Sequence, residues 1–509
     1  MSIGGTSMSA YKGSTDEKPL RGIDDSPVRL RPENPRYFYY NGKPIVLITA
    51  TEHYGAVLNR NFDFISYLDE MADKKVNLSR CFLLFRELEG PPKNPHSPCK
   101  PLPGEYIAPF LRTGPGYATD GYPKFDLQRW NPEFFQRLHA FLDEASRHGI
   151  IVELTLFSNN YGDLVWNLNP FNAKNNVNGV GDTIWQEYTT MLHVGMWNLQ
   201  QRYVRKVVQE VNQYDNIYFE ICNEPFGDIG GRAINREVDK WQAAIRNLIR
   251  EEDTKLPKQH LIFQTPIYRG YHGDQLDFLL DNKEVSAVNV HCGWVWCRGK
   301  MYPLGRGFEY DVGLQGLHYL WTSWHHEASK PLVMDEDNVA SGYLCDEAWT
   351  IHRKRAWTIV FSGGHYDMID FSIQVGGQER GTPESREKIR SWMKHLSEFI
   401  HSLDFVHSRP LRGFPVAKPE GTNAATLAIG RGEWVVYLAD SREINEFEYG
   451  SPRSGKLVLP LPEGRYEARL YSPEKGEYIE DGIQLFNNGK ATLMLKSFTH
   501  DIVVHVKHI

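Results

Sequence analysis

The sequence has 509 residues, 41% of them apolar, and a formal net charge of −7. That length exceeds one ordinary domain, and the apolar content suits a folded core rather than a disordered chain. With no basic stripe and no apolar run as long as a membrane span, neither nucleic acid nor a bilayer is an expected partner.

Residues 1–30 are polar and expected to be loose. They contain no apolar core of a secretory signal. The chain as it stands is therefore expected in the cytoplasm, or outside it if a signal has been removed. In "YFYYNGKPIVLITA", Asn41-Gly42 between apolar runs predicts a hairpin. A strand over 44–50 then leads to Glu52 and His53. Phe64, Ile65, Leu68, Met71 and Ala72 mark one face of a helix. "VNLSRCFLLF" is a second strand, and a long loop over 86–129 follows.

The next helix carries its own punctuation, with Asn131 as N-cap, Pro132 in the first turn and Gly149 past the end. "IIVELTLF" is a third strand, apolar throughout as expected where both faces are buried. After an Asn- and Gly-rich loop come a helix over 185–213 and a fourth strand over 217–223. Further strands are expected at 260–264, 286–291, 331–336 and 365–371. Eight strands alternating with helices over 31–402 predict an α/β fold, a (β/α)8 TIM barrel. An open doubly wound sheet is the alternative, but no Gly-rich phosphate loop follows the first strand. Beyond residue 402, short apolar runs such as "WVVYLA" and "DIVVHV" between turns predict a small antiparallel β-sandwich over 403–509.

The six cysteines form no second pair with zinc spacing, and Cys81 and Cys222 fall in expected buried strands. Neither a disulfide framework nor a metal is expected, and no cofactor. Aromatic residues make up 13%, which fits a large aromatic core or a cleft that stacks sugars.

In such a barrel the chemistry sits where strands end. Glu224 follows strand four in "FEICNEPFG", and Glu336 ends strand seven in "KPLVMDEDN". Alternation of Leu332, Met334 and Glu336 points Glu336 inward, and Asp335 and Asp337 elsewhere. Facing carboxylates suit glycosidic cleavage, one giving a proton to the leaving oxygen and the other attacking the anomeric carbon. Asn223 is placed to hydrogen-bond the sugar 2-hydroxyl.

This pattern resembles clan A glycoside hydrolases, nearest to the cellulase-like family 5, over residues 35–400. The resemblance implies that Glu224 is the acid/base and Glu336 the nucleophile. It matches Asn223, Arg80 in "NLSRCF" and His291 in "VNVHCGW" to family positions. Two departures stand out: Gly293 replaces the tyrosine usual after the strand-six histidine, and "DFSIQVGGQERG" lacks the usual tryptophan after strand eight.

The remaining candidates are substrate contacts. His53 reads as a sugar-hydroxyl ligand or a satisfied rim histidine. Arg80 either holds Glu336 ionised or pairs with Glu220. Trp166, Trp294 and Trp296 lie in loops as a stacking platform, and Tyr161 and Gln374 as further lining. The expected function is a retaining β-glycoside hydrolase acting on a carbohydrate substrate, with carboxyl groups about 5–5.5 Å apart. The alternatives are a transglycosylase on the same site and a non-catalytic glycan-binding barrel.

Overall fold

Asn41 and Gly42 have φ of 50° and 75°, the left-handed backbone that a two-residue hairpin turn requires. They join Phe38–Tyr40 to Lys43–Ile45 in a small sheet. The strand expected over 44–50 is therefore split. Its first residues pair backward, and the barrel strand proper, β1, is Ile48–Thr51. The computed structural model describes residues 26–86, 88–89, 100–225, 231–267, 279–291, 294–297, 300–303, 313–337, 346–369, 373–374, 378–379, 383–442 and 448–509.

Seven more strands follow: β2 (Leu78–Phe82), β3 (Ile151–Ser158), β4 (Ile217–Asn223), β5 (Ile262–Gln264), β6 (Ala287–His291), β7 (Leu332–Asp337) and β8 (His365–Ile369). They pair in the order β1-β8-β7-β6-β5-β4-β3-β2, every pair parallel. The ring closes where the Phe82 N–H donates to the His53 carbonyl at 3.0 Å and Thr49 Oγ1 donates to the Leu78 carbonyl at 2.6 Å. The fold is a (β/α)8 barrel.

The helices around it include α1 (Phe64–Asp73), α2 (Pro132–Arg147), α3 (Val194–Val211), α4 (Gly231–Asp253), α5 (Leu314–Glu327), α6 (Asp346–Val360) and α7 (Pro383–His401). The cap of α2 is as expected: the Asn131 side chain accepts from the Glu133 N–H, and Gly149 follows the helix at φ 69°. No helix among the described residues is long and apolar enough to cross a membrane.

Two expectations need correction. Residues 86–129 are not all loop, because Phe110–Tyr117 and Pro123–Trp130 form an antiparallel hairpin. Its first strand is largely exposed and reads "FLRTGPGY", so no apolar alternation marks it. The helix expected over 185–213 is divided into a single turn, Trp185–Glu187, and α3. Thr190 Oγ1 donates to the Glu187 carbonyl at 2.7 Å, a side-chain bond that competes with helix propagation.

The barrel interior has two layers. At the N-terminal end of the strands it is apolar. Phe38, Tyr40 and Leu47 fill it together with Leu78, Tyr218 and Phe263, and the last two rings stack at 3.9 Å. At the C-terminal end it is charged, as described below.

After α7 come β9 (Ser408–Leu411), β10 (Thr422–Ile429), β11 (Glu433–Asp440), β12 (Arg453–Leu459), β13 (Gly464–Ser472), β14 (Glu477–Asn487), β15 (Ala491–Phe498) and β16 (Asp501–His508). Six form an antiparallel sheet in the order β9-β10-β11-β16-β13-β14, and β12 pairs with β15. On β11, Val436 and Leu438 enter the core of this sandwich, while Val435, Tyr437 and Ala439 join the core of the barrel. Burial of both faces explains why "WVVYLA" is apolar without alternation.

Helix α6 fastens the two parts. Arg353 bonds both oxygens of Asp501 on β16 at 2.9 Å, and Lys354 Nζ donates to the carbonyls of Asp440 and Arg442 at 3.2 and 2.8 Å. One residue on, Arg355 Nε reaches Asp337 on β7 at 2.5 Å.

Candidate active site

Arg80 on β2 stands at the centre of the charged layer with no exposed surface. Its guanidinium lies 2.6 Å from Glu220, 3.0 Å from Asp335, 2.9 Å from Glu336 and 3.3 Å from Glu153. It also donates to Asn223 Oδ1 at 2.9 Å. Buried charge is tolerated only when paired and hydrogen-bonded, and one cation cannot balance four anions. Glu153 lessens the excess. Burial, with Asp335 and Glu220 nearby, raises its carboxyl well above the usual range and keeps it neutral. Tyr218 Oη and Asn289 Nδ2 bond it at 2.6 and 2.9 Å. Glu220 accepts from Thr155 and Thr265 at 2.8 and 2.6 Å. Both readings of Arg80 therefore hold at once, since it pairs with Glu220 and with Glu336.

Glu336 is ionised by its surroundings. Burial alone would raise its carboxyl, but His291, His53 and Arg80 outweigh that and lower it to about 2. Its neighbour departs from the expectation based on alternation. Across β6 and β7, Val290 faces Met334 but His291 faces Glu336; across β7 and β8, Met334 faces Tyr366 but Asp337 faces Met368. The extra residue is a β-bulge, and it turns Asp335 and Glu336 both toward Arg80. Asp335 is the site residue that alternation hides.

Glu224 follows β4 with φ 42°, a left-handed backbone that costs a residue other than glycine roughly 1–3 kcal/mol and that clusters at functional positions. One Glu224 oxygen lies 3.0 Å from His291 Nδ1. Tyr161, also left-handed at φ 56°, donates its hydroxyl to Glu224 and accepts from Asn223 Nδ2 at 2.6 Å. Burial, first of all, pushes that phenol well above its usual range. Single oxygens of Glu224 and Glu336 and a ring nitrogen of His291 lie within 4.8 Å of one another. A cation's ligands can share such spacing; the Arg80 guanidinium already stands 2.9 Å from Glu336.

The other candidates divide. His53 has no exposed surface. Its Nε2 lies 3.1 Å from Asp367, and its Nδ1 lies 3.3 Å from Arg80 and 3.8 Å from Glu336. With these buried partners, the sugar-hydroxyl reading of His53 is replaced by the satisfied histidine. Arg80 and Asn223 are likewise fully buried. Trp166 is corrected: it is 3% exposed, packs on Tyr188, and its indole N–H donates to the Thr183 carbonyl at 2.9 Å, which leaves no face for a sugar. Trp294 and Trp296 fall on a short hairpin strand, Trp294–Cys297, and Gln374 on Ile373–Gln374. The side chains of these three lie outside the described residues. Sequence reasoning missed Asp335, Glu153 and Asp367, all buried acids on barrel strands.

Residues 109–291 match the family model for cellulase (glycosyl hydrolase family 5). Among solved structures, the fold is similar to a glycoside hydrolase family 5 protein from Bacteroides vulgatus ATCC 8482. That match has a TM-score of 0.60 at 16% identity and covers 96% of this chain and 95% of the other. A second structure, described as a glycoside hydrolase, matches at TM-score 0.59 and 14% identity over 95% and 97% of the two chains. An endo-1,4-beta-mannanase from Rhizomucor miehei matches at TM-score 0.50 and 15% identity, covering 74% of this chain and all of its own. No curated protein sequence matches the chain.

Proposed function

We propose, for a chain that carries a family 5 glycoside hydrolase domain, that it is a retaining β-glycosidase acting on β-linked oligo- or polysaccharides. The observation that carries this reading is the pair of rim carboxylates. Their nearest oxygens are within 4.8 Å, and only Glu336 is surrounded by Arg80 and two histidines. Inverting enzymes need about 6.5–9.5 Å to admit a water between the carboxyl groups, and retaining enzymes about 5–5.5 Å.

In this mechanism a Glu336 oxygen attacks the anomeric carbon as the glycosidic C–O bond breaks. Glu224 gives its proton to the departing oxygen. Glu224, now a carboxylate, then takes a proton from water as that water attacks the glycosyl ester, which frees Glu336 and restores the acid. Arg80 and His53 keep the nucleophile ionised, and Tyr161 and His291 hold the acid/base.

The test is turnover of a panel of aryl β-glycosides and β-linked oligosaccharides, with proton NMR of the first product anomer. β-1,4-Mannan oligomers belong in the panel because the Rhizomucor protein of similar fold is an endo-1,4-beta-mannanase. The expected result is a β product, lost by about 10²-fold or more in Glu224→Gln on unactivated substrates and abolished in Glu336→Gln. An α product would overturn the assignment of Glu336 as nucleophile. Unchanged turnover in both variants would overturn the site.

A further inference from the structure

An arginine side chain only donates, and the N–H groups of Arg80 are matched to five acceptors. Nε faces Glu153, Nη1 faces Glu336 and His53 Nδ1, and Nη2 faces Glu220 and Asn223 Oδ1. Because Arg80 cannot accept, its bond to Asn223 at 2.9 Å fixes which way round that amide lies. The amide oxygen turns to Arg80, so the nitrogen turns away. One of its N–H groups goes to Tyr161 Oη at 2.6 Å and the other to Ser158 Oγ at 3.3 Å. Ser158 is free to accept because its own hydroxyl donates to the Asn159 carbonyl at 3.3 Å. Both amide hydrogens are thus used inside the protein.

Asn223 has no exposed surface. A sugar hydroxyl could reach its nitrogen only if Tyr161 withdrew, and two features hold Tyr161 in place. Its N–H donates to Asn159 Oδ1 at 3.0 Å, a side-chain bond that fixes the turn after β3. Its ring packs against the barrel core, edge to face with Phe85 at 6.2 Å between centroids. The hydroxyl so held meets Glu224. Whichever of the two gives the proton of that bond, Asn223 fills one lone pair of the phenol oxygen.

We propose that Asn223 is a positioning residue for the acid/base and not a ligand of the sugar 2-hydroxyl: its amide carries the orientation set by Arg80 to Tyr161 and holds that hydroxyl against Glu224. This rests on Glu224 being the proton donor. The guanidinium that faces the nucleophile then also orders the acid/base, through a side chain the substrate does not touch.

The first test pairs the enzyme with its substrate. An aryl β-glycoside and its 2-deoxy counterpart, with one leaving group, are compared in the wild type and in Asn223→Ala. The variant should lose about tenfold or more in kcat/KM, by the same factor on both substrates within about threefold. A loss concentrated beyond that on the 2-hydroxy substrate would overturn the proposal, because the amide would then be answering the 2-hydroxyl. Tyr161→Phe keeps the ring and is the milder variant. It should lose about tenfold in kcat/KM on an oligosaccharide, whose leaving group needs the proton, and about twofold or less on a dinitrophenyl glycoside, whose leaving group does not. Equal losses on the two would overturn the proposal. So would a lower KM in Tyr161→Phe, which would mean that the phenol had been covering the amide. A last measurement needs no turnover. In urea unfolding, Asn223→Ala and Tyr161→Phe combined should lower the midpoint by less than the sum of their separate effects, as bonded partners require. Additive effects would overturn the link. If the wild-type protein turned over no glycoside, the functional reading would fall, while the urea cycle would still decide the coupling of Asn223 to Tyr161.

Discussion

The mouth of the barrel and the six-stranded sheet beyond it are equally buried and built on opposite principles. In the sheet, both faces of β11 are apolar and meet two separate cores. At the mouth, Arg80, Glu153, Glu220 and Asp335 are fully buried and Glu336 nearly so. Apolar burial stabilises in proportion to area. A buried ionic cluster is at best near neutral against an apolar core of the same shape. The comparison teaches that the mouth is kept for chemistry and the sheet for stability, and each half of that statement can be broken by experiment.

The largest expected effect is at the mouth. Arg80→Met leaves Glu220, Asp335 and Glu336 without their common cation, and should cost about 3–5 kcal/mol in urea unfolding as well as all turnover. Retained stability would show that the carboxylates neutralise each other by sharing protons. Next comes the sheet. Leu438→Ala removes a fully buried side chain from the sandwich core and should cost about 2–5 kcal/mol. Its kcat per folded molecule should be unchanged, and a lower kcat would mean that the sheet does more than stabilise.

A smaller effect separates the two regions by pH. The contribution of Glu336, lowered to about 2, is present above its ordinary 4.5 and lost as pH falls through 2. That of His291, raised to about 10, is full below 6.5 and lost as pH rises through 10. Unfolding midpoints should therefore fall between pH 6.5 and 9.5, and the fall should shrink in His291→Gln. The smallest effect is Arg469→Gln on the exposed pair with Asp481, expected within about 0.5 kcal/mol in the same assay.

The same contrast explains what the sequence discloses. The strands carrying "IIVELTLF" and "FEICNEPFG" are legible because continuous apolar runs mark strands buried on both faces. Glu224 and Glu336 are legible because they end such runs. Asp335 is hidden by a bulge, which leaves no mark on composition and inverts the alternation used to set it aside. Trp166 misleads because a loop tryptophan looks the same whether it faces a cleft or, as here, packs on Tyr188. The hairpin within 86–129 is illegible because its strand Phe110–Tyr117 fully buries only Phe110, which leaves no alternation to read.

The three basic residues in succession on α6 have a consequence for anyone wishing to simplify the molecule. Arg353 and Lys354 hold the sheet, and Arg355 holds the residue after Glu336. Trimming the chain to its barrel would take the partners from two buried cations on the helix that also steadies β7. The unit to keep is therefore the whole two-part body, and exchange of the C-terminal part between relatives must carry the counterpart of Asp501 with it, whereas Lys354 asks only for backbone carbonyls.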